Sequence, residues 1–197
     1  MNIEFPEISK RLLALSGATL IGLAALTACS PDTDSGSNGD TDTAEEAAEE
    51  EDAAGDGTSP EAPLAAGSSL EVGDWTVTPT ITLDATEEIL AQDEFNTEPV
   101  EGNQQSLITL EGTYNGTDTG SLWLDVTFGV WADGTFYDTI DCSNLVDGEI
   151  TLEPDVSAGG ATTGSACAEV PTGADTYLLY FEDLMSLDGT QYFVEIG

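Results

Sequence analysis

Beyond Ser69 the chain alternates apolar with polar residues in short runs, each closed by a turn signal, and few folds accept that pattern. The runs are DWTVTPTITL (Asp74–Leu83), SLITLEGTY (Ser106–Tyr114), SLWLDVTFGVW (Ser121–Trp131), TFYDTI (Thr135–Ile140), TYLLYFED (Thr176–Asp183) and QYFVEI (Gln191–Ile196). Between them stand NGTDTG, ADG, LDG and PTGAD. Successive side chains of a strand point to opposite faces, so this alternation buries one face and leaves the other wet. Short strands rich in β-branched and aromatic residues, spaced by Gly and Asp turns, predict an all-β sandwich and argue against helical or βαβ architecture. Only TEEILAQD (Thr86–Asp93) suits a helical turn, and NTEPVEGNQ after it reads as loop. Trp75, Trp123, Trp131, Phe128 and Tyr180 fall within the runs and are expected to fill the space between two sheets.

Charge narrows the function. The whole chain has 2 Lys+Arg, Lys10 and Arg11, against 39 Asp+Glu, and no His. Without cations to neutralise phosphates, the protein is not expected to bind nucleic acid or anionic headgroups. Imidazole-based triads, His-rich metal sites, Schiff-base lysines and phosphate-clamping P-loops are also ruled out beyond Arg11. What remains is the chemistry of carboxylates, hydroxyls and oxygen-held metals, and no cofactor is expected.

Both basic residues precede an apolar run, Leu12–Ala25, which is shorter than the roughly 20 residues a membrane-spanning helix needs and is followed by acid. The segment reads as a signal, residues 1–28. Its end, Leu26-Thr27-Ala28-Cys29, resembles the lipobox of bacterial lipoproteins, in which the cysteine is lipidated and becomes the first mature residue. The resemblance implies a membrane partner through a lipid anchor on Cys29, at the extracytoplasmic face of the cell membrane.

Residues 29–68 then form an acidic stretch without aromatic residues, expected to be a disordered linker because it buries too little apolar surface to offset its ordering entropy. Like charges at Glu45/Glu49 and Glu46/Glu50 disfavour a helix there. By the square-root rule such a linker reaches roughly 35 Å. Asp32–Asp42 (DTDSGSNGDTD) has acids at alternate positions. Ser37 and Thr43, however, stand where a calcium loop of the EF-hand type wants Gly and Glu, so non-specific cation binding is the expectation and no metal site is assigned.

Residues 69–197 carry a recognisable order: LEVGDWTVT, ITLEGTYNGTDTGSLWL, VWADGTFYDT, SAGGATTGSACAEVP and TYLLYFED with YFVEI. It resembles the immunoglobulin-like domain of unknown function found in Gram-positive, especially actinobacterial, surface lipoproteins. The features that correspond are Gly73, Asn115, Asp133-Gly134 and Val170-Pro171. The usual Pro-Gly ahead of the small-residue segment is replaced by Glu153-Pro154-Asp155 and Ala158-Gly159-Gly160. The resemblance implies an immunoglobulin-like sandwich of about seven to eight antiparallel strands and supplies no catalytic residues.

With Cys29 lipidated, Cys142 and Cys167 are left with one possible pairing, and outside the membrane a disulfide is expected. Facing carboxylates arise by chance among so many acids, so they do not establish an enzyme. The expected function is a non-catalytic binding or envelope-interaction domain with an unidentified envelope or extracellular protein partner. The alternative is a small carboxylate hydrolase acting on cell-wall glycan, which would need two facing acids in a concave site.

Overall fold

The computed structural model describes residues 55–197; the expected signal, Cys29 and the linker as far as residue 54 lie outside them. The elements in order are β1 (Leu70–Val72), β2 (Trp75–Thr82), α1 (Thr86–Gln92), β3 (Asn103–Tyr114), β4 (Thr119–Gly120), α2 (Leu122–Asp125), β5 (Val126–Ala132), β6 (Thr135–Asp138), β7 (Val156–Ser157), β8 (Ala161–Pro171), β9 (Tyr177–Asp183) and β10 (Gln191–Glu195). Two four-stranded sheets, ordered β1-β2-β3-β8 and β10-β9-β5-β6, hold all the long strands, and β4 pairs with β7 in a small ribbon. Every pairing within these sheets is antiparallel. In immunoglobulin lettering β2, β3 and β8 are strands A, B and E, while β5, β6, β9 and β10 are C, C′, F and G, so the sandwich is immunoglobulin-like as expected.

Alternation explains the core. Ile108 and Leu110 on β3, Ala166, Ala168 and Val170 on β8, Phe128 and Val130 on β5, and Leu179 and Phe181 on β9 all point into one cluster with Trp75 and Val77. Pro79 is tolerated on β2 because it lies beyond Val77, the last residue of β2 paired with β1, where β2 is a sheet edge. Asp133 and Gly134 both have positive φ, 46° and 85°, which is the two-residue hairpin turn that joins β5 to β6. Tyr177 forms a tyrosine corner: its hydroxyl donates to the Pro171 carbonyl (2.6 Å) and accepts from the Ala174 amide (3.0 Å), fixing the β8–β9 crossing.

The expectations for the aromatic residues need correcting. Trp75 and Phe128 fill the space between the sheets, but Trp123 lies on α2, because Asp125 folds Ser121–Asp125 into a helical turn before the strand begins. Trp131 and Tyr180 lie on the outer face of the second sheet, on the side opposite Val130, Leu179 and Phe181. There Tyr180 packs against Phe136 (4.3 Å between centroids) and Phe193 (5.6 Å), and Trp131 against Phe193 (5.4 Å). Tyr180 is buried, and its hydroxyl donates to Glu182 (2.6 Å); burial first, then Glu182, pushes its pKa upward.

Part of the expected linker is also ordered. Residues 55–64 run beside β10, where Phe193 donates to the Gly57 carbonyl (2.7 Å), Leu64 donates to the Phe193 carbonyl (2.9 Å), and Leu64 bridges Val194 in parallel. Leu64 packs on the core, which gives this stretch the apolar anchor that composition alone did not reveal.

Cys142 and Cys167 form the expected disulfide, with Cα atoms 5.7 Å apart. It ties the 3₁₀ turn Thr139–Asp141 to β8, on the outer face of the first sheet where Ile89 of α1 and Val146 pack. Beside it, Asn144 accepts from the Thr97 amide (3.0 Å) and donates to Gln105 (3.0 Å), holding the loop of residues 96–102 in place, while Asn103 and Gln104, the end of the stretch expected to be loop, already pair with β8 as the start of β3.

Candidate functional site

Three connections gather at one end of the sandwich: the β1–β2 turn, the β3–β5 connection and the β9–β10 turn. They surround a concavity of about 340 Å³ lined by Gly73, Asp74, Trp75, Tyr114, Asp118, Thr119, Asp125, Asp183 and Met185. All four carboxylates lie in connections or at element ends, where chain reversal favours Asp. None belongs to a recognisable motif, so sequence reasoning missed the grouping. The only signal was an Asp near the end of each of four segments, VGDW, NGTDTG, SLWLD and YFED.

Asp125 organises the site. Its Oδ2 accepts from the Trp75 indole N–H (2.9 Å) and from the Ser121 amide (3.1 Å), while its backbone carbonyl accepts from Leu184 (2.9 Å). One residue thereby joins the first sheet, the β3–β5 connection and the β9–β10 turn. The Asn115 amide donates to the Asp74 carbonyl (2.7 Å) and closes the other side. Replacing Asp125 with Ala strands a buried indole N–H, so Asp125→Ala is expected to lower unfolding free energy in urea by about 1–3 kcal/mol. Asp125→Asn retains an acceptor and recovers most of that loss.

Tyr114 forms the floor. Its ring packs against Trp75 at 5.1 Å, and the residue is 7% exposed. Gly116 and Gly120 make room for it: a Cβ on Gly116 would collide with the Tyr114 hydroxyl and stand 2.8 Å from Asp74 Oδ2, and one on Gly120 would lie 2.5 Å from the ring. The Tyr114 pKa is raised, by burial and then by Asp74, Asp125 and Asp118. Its hydroxyl opens into the concavity and has no hydrogen-bond partner among the described residues, unlike the hydroxyls of Tyr177 and Tyr180.

Beside this opening the β9–β10 turn exposes Leu184 (55%), Met185 (74%) and Leu187 (103%). Leu184 also lines a shallow groove with Trp123 and Ile140. Acid and apolar surface therefore adjoin. Among the described residues, no three Asp, Glu, Cys or His side chains stand as a metal ion's ligands do, and no helix is long and apolar enough to cross a membrane.

The chain matches no protein-family model and no curated protein. Solved structures similar to it include a conserved hypothetical protein from Bacillus anthracis, with a TM-score of 0.40 and 10% identity over 65% of this chain and 94% of that one. Another is an uncharacterized β-sandwich protein from Clostridium difficile 630, with a TM-score of 0.38 and 10% identity over 68% and 95%.

Proposed function

We propose that the chain is a surface lipoprotein, anchored through Cys29 at the extracytoplasmic face of the membrane, whose immunoglobulin-like domain is a non-catalytic binding module. The observation that carries this reading is the position of the concavity. The β3–β5 and β9–β10 connections are the B–C and F–G loops, and in variable immunoglobulin domains that end carries the binding loops. By analogy of fold this is the binding end, and Leu184, Met185 and Leu187 are exposed there. The lipobox and the resemblance to Gram-positive lipoprotein domains support the location.

The concavity holds several acids, as a glycan hydrolase would require, but their environments favour binding. Asp125 is committed to Trp75 and Ser121, and Asp183 Oδ1 accepts from the Met185 amide (2.8 Å). Asp74 and Asp118 are exposed at the rim.

The test is saturation binding of the fluorescently labelled, unlipidated mature chain (residues 30–197) to host cells lacking their own copy. We expect a saturable signal displaced by excess unlabelled chain. Uptake that rises linearly and is not displaced would overturn the reading.

A further inference from the structure

We propose that the loop-end concavity receives a lysine or arginine side chain carried on an apolar segment of a protein partner. The inference rests on the reading of the domain as a binding module and names what that module recognises. Asp74, Asp118, Asp125 and Asp183 ring the opening, and no cation follows Arg11 to neutralise them, so the described domain cannot complete the site from its own side chains. A second observation points inward. Tyr114, more than nine-tenths buried as a residue, brings its hydroxyl to the solvent-filled opening beside Asp74, where no other described residue bonds it. An ammonium or guanidinium offers only donors, which suits a carboxylate ring and a hydroxyl free to accept.

The size and rim of the site choose among cations. The carboxylates border an opening of about 340 Å³ and do not converge on a point, so a long side chain with its own hydrogen-bond donors fits better than a bare divalent ion. Met185 at the rim and the neighbouring Leu184 and Leu187 offer apolar surface to the residues flanking the base. A free polyamine would leave that surface unused, whereas a Lys or Arg between apolar residues covers it.

The unlipidated mature chain (residues 30–197) is titrated with the capped pentapeptide Gly-Leu-Lys-Leu-Gly, with its Gln-for-Lys counterpart, with spermidine and with calcium chloride. The reporter is the Trp75 indole N–H resonance, which lies in the site because Trp75 donates to Asp125. The Lys peptide is expected to shift the Trp75 signal saturably and leave the Trp131 indole unmoved. Asp74→Asn with Asp118→Asn is expected to weaken binding at least tenfold, and Tyr114→Phe several-fold, without loss of the folded spectrum. Asp84→Asn with Glu87→Gln, acids near α1 at the other end of β2, is the control and is expected to stay within twofold of the parent. The proposal is overturned if the control pair weakens binding as much as the site pair, or if the Gln peptide binds equally well. It is also overturned if spermidine or calcium saturates the Trp75 shift as tightly as the Lys peptide. If the Lys peptide leaves the Trp75 signal unmoved while the chain still binds host cells saturably, the site assignment falls and the binding-module reading stands.

Discussion

Reducing the Cys142–Cys167 bridge is expected to lower the melting temperature by about 10 °C. The residues it joins are 25 apart in sequence. Closing a loop of that length removes unfolded-state entropy equivalent to about 3.5 kcal/mol in the chain-entropy model. In a domain of this size each kcal/mol moves the midpoint by about 3 °C. The bridge also does structural work that the core does not duplicate. Among the described residues no fourth long strand stands beside β8 in the first sheet, and residues 139–160 cross that side as 3₁₀ turns and the two-residue β7. Cys142 pins this irregular segment to β8 beside Ile89 and Val146. Calorimetry of oxidised and reduced protein, with Cys142→Ala/Cys167→Ala as a third sample, checks the prediction. Equal midpoints would show that the loop is held without the bond.

Raising NaCl from about 10 mM to 1 M is expected to increase the melting temperature by roughly 5–10 °C, because the Debye length shrinks from about 30 Å to about 3 Å. No Lys, Arg or His lies beyond Arg11, so no side-chain ion pair forms within residues 55–197 and the acids of the folded domain only repel one another. Two carboxylates about 10 Å apart repel by about 0.4 kcal/mol in water, and many such pairs sum to several kcal/mol, offset in part by repulsion in the unfolded chain. The two effects are coupled. The bridge restrains a segment carrying Asp141, Asp147, Glu149, Glu153 and Asp155, so reduction is expected to cost more stability at low salt. A midpoint independent of NaCl would contradict the account of the charge.

Strands with large alternating side chains were legible in the sequence. Those of β2, β6, β9 and β10 lie where the runs placed them, β3 begins at Asn103, three residues ahead of its run, and the Asp133-Gly134 hairpin follows from its dipeptide. By contrast, β8 is built mostly from Ala, Gly, Ser, Thr and Cys. Its inward residues are Ala166, Ala168 and Val170, and Gly164 meets Ile150 so closely that no Cβ fits, which removes the apolar contrast that marks a strand. Period two shows that Leu178 and Tyr180 face away from Leu179 and Phe181, but it does not say that both faces of β9 are apolar because a second cluster covers the outside. The candidate site was illegible for another reason: its acids come from four separate stretches, and only the pairing of β2 with β3 and of β5 with β9 brings them to one end.

The central claim, a lipid-anchored surface binding module, is tested most directly at its amino terminus, since anchoring decides where every other interaction takes place. Intact-protein mass spectrometry of the chain extracted from its native membranes, followed by fragmentation of the N-terminal peptide, reads the first residue and its modification together. The account predicts a mature chain that begins at Cys29 and carries a thioether-linked diacylglycerol, with the signal absent. An unmodified Cys29, or a mature chain that begins at any other residue, would contradict it.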